Sequence, residues 1–289
     1  MKQFFYTFLR VYLFWLVFFA FFRALFIVVN YNYSGDTPLL TTVASFGPGF
    51  RLDLAFSGYL MLVLIVIQLF SLAGWRRYCL NCIRWVHYLL IPVFSGLLLG
   101  DANLFRYWGG HLNNEALSFL KTPGVIIKSV HWFEGVLFFV IWGIIAVLFI
   151  YLFNWWVIKS RLNQVFKIQN VVINWGLTLF LGGLLIVPIR GSFSVAPINT
   201  GAAYFSNHLF ANNAAINPLW NLAYSMKRDA LEDNGFQFIS EQKAERLFDE
   251  MMYESGNFPK LLNTPNPDIV VILLESFSGQ AIGALGGKN

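Results

Sequence analysis

Five long apolar runs, at about 4–29, 50–73, 85–104, 132–156 and 171–189, constrain this chain more than any other feature. Each is long enough to cross a hydrocarbon core, which takes roughly 20 helical residues. A backbone in lipid has no water to bond, so a run of this length has one solution, the α-helix. The third run is the least uniform, because His87, Pro92 and Asp101 interrupt it. Composition agrees: 57% of the residues are hydrophobic, 18% aromatic and 12% charged, at a mean hydropathy of +0.59, which is the profile of a membrane protein.

Orientation follows from the Lys/Arg bias of the short connections. Lys2, Arg76, Arg77, Arg84, Lys159, Arg161 and Lys167 mark one set of ends, against Arg106, Lys121 and Lys128 on the other. The first set is therefore expected to be cytoplasmic, with the N-terminus, and everything after 189 to be extracytoplasmic. The first run is too long for a cleavable signal, is broken by Arg10 and Arg23, and is followed by no small-x-small site, so it is expected to remain as an anchor. Trp75, Trp85, Trp108, Trp132, Trp155, Trp156 and Trp175 fall near the span ends, where amphipathic rings sit at headgroup level. The net charge of +5 comes largely from the cytoplasmic connections and reads as topology, with no nucleic-acid motif beside it. Cys79 and Cys82 form a C-x-x-C in an expected cytoplasmic loop, with no second pair and only His87 nearby, which argues against a metal or redox site.

Charges inside the spans are expensive, on the order of 2.5 kcal/mol or more each. Arg23, Arg51, Asp53, Asp101, Arg106, Glu134 and Arg190 all fall at the extracytoplasmic ends of their spans, at one depth. One reading is that they pair with one another or snorkel and hold the bundle together. The other is that Arg23, Arg51, Asp53, Asp101, Arg106 and Arg190 shape a pocket for a lipid headgroup, with Arg matching a phosphate.

Beyond the fifth span, a sparsely charged Asn/Ala-rich stretch is interrupted by Pro197 and Pro218, and 211–226 is expected to form short amphipathic helices on the membrane surface. A clearer helix covers 240–254, with Ser240 as cap and Ala244, Leu247, Phe248, Met251 and Met252 on one face, a face expected to pack on a further domain. At 269–274 six β-branched-rich apolar residues follow Pro265 and Pro267 and precede Gly279. They read as a strand apolar on both faces, as in a parallel sheet covered by helices. No second such strand follows, so the expectation is a chain that is the front part of a longer protein: a five-helix transmembrane domain at 1–190, juxtamembrane linker helices at 191–264, and from 265 to 289 the first strand of a truncated α/β domain.

Phe50-Arg51-Leu52-Asp53-Leu54 opening the second span, Arg190-Gly191 leaving the fifth, Asn217-Pro218, and above all Pro267-Asp268-Ile269-Val270-Val271-Ile272-Leu273-Leu274-Glu275-Ser276-Phe277 resemble the lipoteichoic acid synthase family of membrane-anchored, sulfatase-fold phosphoglycerol transferases. The resemblance runs over nearly the whole chain, with the strand-Glu-Ser-Phe piece as its sharp motif. It implies an extracytoplasmic catalytic domain of the alkaline phosphatase (sulfatase) fold, anchored in a bacterial-type cytoplasmic membrane. It implies further a divalent metal (Mn, Mg or Zn), a phospholipid donor in the outer leaflet and an envelope glycolipid or glycan acceptor.

By the same resemblance Glu275 is a metal-ligating carboxylate, in keeping with the gathering of ligands at the carboxyl ends of strands in open α/β sheets. A Thr nucleophile and Asp/His ligands are implied downstream, so this chain alone is expected to be inactive. Ser276 and Ser278 lie in no nucleophile elbow and are read as hydrogen-bonding neighbours of the metal carboxylate. A phosphoethanolamine transferase of the same fold is the alternative of the same architecture. A non-catalytic scaffold or transporter part is the alternative of another class, although the chain shows neither the internal repeat nor the paired broken helices of a transporter.

Overall fold

In the computed structural model, residues 2–121, 124, 131–159, 171–192, 197–231, 238–252 and 270 are described. The chain divides into two compact units, Met1–Asp233 and Asn234–Asn289. Among the described residues the regular structure is helical, and five helices are long and apolar enough to cross a membrane: Phe5–Tyr33, Leu39–Trp75, Asn81–Trp108, Trp132–Ile158 and Val172–Arg190. The spans read from the sequence are thus all present. Of the strand expected at 269–274 only Val270 is described, and Glu275, Ser276, Ser278 and Gly279 lie outside the described residues.

The first unit is built around α1 (Lys2–Asn30), which packs against α3 (Phe46–Phe70) and α4 (Arg76–Trp108). Of the apolar window of the first span 56% is buried, against 17% for the fourth and fifth. The N-terminal helix is therefore the centre of the bundle, and α6 (Trp132–Phe153) and α7 (Val171–Leu184) lie at its rim. The short helix α8 (Ile186–Arg190) continues α7 along α3. On α6 the apolar residues run all round the helix and leave Phe139, Ile144 and Val147 exposed, as expected of a helix that faces lipid.

Aromatic rings fill the centre. Phe14 meets Phe153 at 5.1 Å between ring centroids and Phe18 meets Phe149 at 4.8 Å, both edge to face, the geometry that places a positive ring edge on a negative face. His87 is sandwiched between Trp15 at 5.7 Å and Phe153 at 4.5 Å. It is a core residue of the bundle. Cys79 and Cys82 also do not lie in a loop. The tight turn Ser71–Trp75, opened by Gly74 at φ 110°, lets α4 begin at Arg76, so both cysteines fall on its opening turns.

Pro92 sits inside α4, and its carbonyl accepts a 2.8 Å hydrogen bond from Trp142 Nε1 of α6. This contact pins the rim helix to the bundle at the depth where Gly96 leaves room for the indole.

After α4 come α5 (Asn114–Ser118) and, past the fifth span, the turn Thr200–Ala203, α9 (Leu209–Ala215) and α10 (Pro218–Leu231). The return begins at Gly191, held at φ +63° as the C-cap of α8, from where the Ile198 amide bonds back to the Arg190 carbonyl at 2.8 Å. A Cβ at Gly191 would lie 2.7 Å from that of Ile198. Gly191→Ala is therefore expected to lose about 1–2 kcal/mol from the left-handed backbone alone, and more from displacing Ile198. Thermal unfolding in detergent reads this, and an unchanged midpoint would refute it.

The first part of the segment expected to lie on the membrane surface, 211–226, does something different, while Tyr224 and Met226 in its second part are exposed. Phe210 to Ala215 are all buried, and α9 packs on α1, α3 and the short α2 (Leu39–Ala44). Its small Ala211, Ala214 and Ala215 allow close approach of backbones. Its Asn side chains are consumed locally: Asn212 Oδ1 accepts from the Phe205 and Ser206 amides and its Nδ2 donates to the Ser206 carbonyl. The helix is thus a plug seated in the bundle end, with no polar face left for water or headgroups. In the second unit, α11 (Glu241–Met252) is close to the expected 240–254, and Leu247, Phe248, Met251 and Met252 on it are exposed.

Candidate functional site

The plug is seated on buried charge. Arg23 of α1 places Nη2 2.8 Å from both carboxylate oxygens of Asp53 on α3, with both side chains almost fully buried. Its Nη1 donates to the carbonyl of Ala214 on α9. The guanidinium lies over Gly49, where a Cβ would sit 2.3 Å from the central guanidinium carbon. Asn217 closes this side: its Nδ2 donates to Asp53 Oδ1 at 2.8 Å, while its Oδ1 caps α10 by accepting from the Leu219 and Trp220 amides. Asn followed by Pro is a strong helix start, cap residue and first-turn residue together.

A second buried pair stands beside the first. Asp101 of α4 is fully buried; its Oδ2 meets His111 Nδ1 at 2.8 Å and its Oδ1 accepts from the Leu112 amide at 2.7 Å. His111 Nε2 meets the carbonyl of Asn213 on α9 at 2.9 Å. Burial pulls the imidazole pKa down, but the charge of Asp101, its hydrogen bond and the Asn213 carbonyl outweigh that pull and the opposing charge of Arg23. The net result lies above the ordinary histidine value. The ring is also packed on Phe26 and Phe105. Arg23, Asp53, Asp101, His111 and Asn217, with Phe22 and Phe26, line a cavity of about 20 Å³, room for a water molecule rather than for a phosphate.

The charged belt read from the sequence therefore separates into two sets. Arg23, Asp53 and Asp101 are brought together and buried. Arg51, Arg106, Glu134 and Arg190 are exposed. Arg51 Nη2 donates to the Gly191 carbonyl at 3.1 Å, Arg106 lies over the Tyr107 ring, and Glu134 occupies the first turn of α6, where a negative charge suits the helix dipole. Within the first set Arg23 pairs with Asp53, while Asp101 pairs with His111 from outside the belt. Every carboxylate oxygen of Asp53 and Asp101 has at least one hydrogen-bond partner within the protein.

Among the described residues no group of three or more His, Cys, Asp or Glu is placed to hold a metal ion, and Glu275 lies outside them. Sequence reading missed His111, Asn213 and Gly49. The available signal for His111 was a histidine directly after Gly109-Gly110 at the end of a span that carries Asp101. No family model and no solved structure matches the chain.

Proposed function

We propose that this chain is the membrane portion of a metal-dependent phosphotransferase, which moves a phosphoglycerol-type headgroup from an outer-leaflet phospholipid to a cell-envelope acceptor. The observation that carries the reading is a conjunction: a five-span helical bundle in the same chain as the sequence Asp268–Phe277, six apolar residues followed by Glu-Ser-Phe. The plugged end of the bundle is the extracytoplasmic one in this reading. A donor lipid is then abundant in the plane of the membrane, and anchoring replaces a search through water by a high local concentration.

The exposed Arg51, Arg106 and Arg190 are the headgroup-facing candidates, and the buried Arg23, Asp53 and Asp101 hold the platform. Glu275 would supply one carboxylate to a divalent ion, which when bound would neutralise phosphate charge and lower the pKa of a hydroxyl nucleophile.

The test uses the full-length gene product in vesicles of phosphatidylglycerol or of phosphatidylethanolamine, with Mn²⁺. Release of glycerol phosphate from the first is expected, and Glu275→Ala should reduce both metal binding and release by at least about 100-fold, more than loss of an outer-shell group does. Headgroup release from phosphatidylethanolamine alone would overturn the donor assignment. Release from neither would overturn the reading as a whole.

A further inference from the structure

His111 sits where the loop after α4 meets the plug, and both of its ring nitrogens face acceptors. Nδ1 is 2.8 Å from the Asp101 carboxylate and Nε2 is 2.9 Å from the Asn213 carbonyl. A neutral imidazole carries one N–H and can donate to only one of them; the other contact would then set a nitrogen lone pair against an oxygen lone pair. With Asp101 ionised, only the imidazolium satisfies both.

Charge balance is consistent with this. The cluster buries two carboxylates, Asp53 and Asp101, and one guanidinium, Arg23, so with both carboxylates ionised it is neutral when His111 carries the second positive charge. An uncompensated buried charge is strongly disfavoured.

We propose that His111 is a proton-operated latch: as imidazolium it ties α4 to α9 and holds the plug in its seat, and loss of its proton releases the plug. The inference concerns the bundle alone and stands apart from the phosphotransferase reading. The ionisable groups near His111 are few. α1 presents Arg23, α3 presents Asp53 across the shared cavity, and α4 presents Asp101. α9 contains no ionisable residue and offers a carbonyl. On α5 and α10, Glu115, Tyr224, Lys227 and Arg228 are exposed.

The direction of the pH effect follows from linkage. His111 is raised in the folded state above its unfolded value of about 6.5. Its contribution is therefore complete below about pH 6.5 and is lost as pH rises through the folded value. Acidic surroundings keep the plug seated and alkaline ones loosen it. Its release uncovers the Arg23 and Asp53 pair, because the Ala214 carbonyl and the Asn217 amide that complete that pair travel with the plug.

Amide hydrogen exchange of the purified chain in detergent, corrected for the intrinsic pH dependence, tests this directly. Protection of Leu209–Ala215 is expected to fall by about tenfold or more between about pH 6 and pH 9, while the centre of α3 stays unchanged. In His111→Gln, which cannot titrate, protection of the plug should be low and flat with pH. Histidine-selective ¹⁵N NMR of the unmodified chain gives a second readout that needs no variant: both ring nitrogens of His111 should be protonated near neutral pH. A neutral His111 at about pH 6.5, or plug protection that does not change with pH in the unmodified chain, would overturn the latch.

Discussion

Asp53→Ala is expected to destabilise the bundle by about 3–5 kcal/mol, the range measured when one partner of a buried ion pair is removed. The size follows from what is left behind. Arg23 would keep its charge in a site with almost no water contact, and its Nε already has no partner. Asn217 would lose the acceptor that holds the start of α10 to α3. The loss should appear as a lower thermal midpoint in detergent and as faster exchange at the start of α10. Replacing both members together, Arg23→Met with Asp53→Leu, is expected to recover much of it, because no lone charge remains. Equal stability of Asp53→Ala and the unmodified chain would show that the pair carries no net weight.

Gly49→Ala should be nearly as damaging, although it adds a single methyl group. The new carbon would stand 2.3 Å from the guanidinium carbon of Arg23 and about as close to one of its nitrogens. The guanidinium cannot retreat without breaking its contacts to Asp53 and Ala214. Overpacking of this kind typically costs about 1–3 kcal/mol, and strain on the ion pair adds to it. A double-mutant cycle isolates the cause. In an Arg23→Ala background Gly49→Ala should be close to neutral, giving a coupling at the upper end of the roughly 0.5–3 kcal/mol seen for touching residues. Simple additivity of the two changes would place the damage elsewhere.

The spans were legible in the sequence because length and apolarity are local properties, and a helix is the only way to satisfy their backbone in lipid. Their ends were less so. The second span starts at Leu39, eleven residues before the expected 50, because α2 and α3 run on almost continuously through Ser45, and Gly74 makes a turn so tight that the cysteines join a helix. The belt of charges was visible as a belt. Its division into a buried and an exposed set was not, because that depends on helix phase and on which segment later covers the bundle end.

The plug was misread for a related reason. Leu209–Ala215 has three Ala, two Asn and no charge, a composition equally at home on a surface or wedged between helices. Only the partners, Arg23 and His111, decide between them, and they lie far away along the chain.

That distance bears on how the protein is made. Arg23 and the Ala214 carbonyl are 191 residues apart, and Asp53 and Asn217 are 164 apart. At roughly 5–20 residues per second, Arg23 would wait about 10–40 s for its last partner. Asp53, which emerges with the next span, is therefore the companion that lets Arg23 remain in the bilayer during synthesis. Ala214 and Asn217 can arrive only after the fifth span has been threaded. Completion of the cluster thus records that every span has been inserted, and a chain stalled or misthreaded before that point is left with an open, polar bundle end for quality control to find.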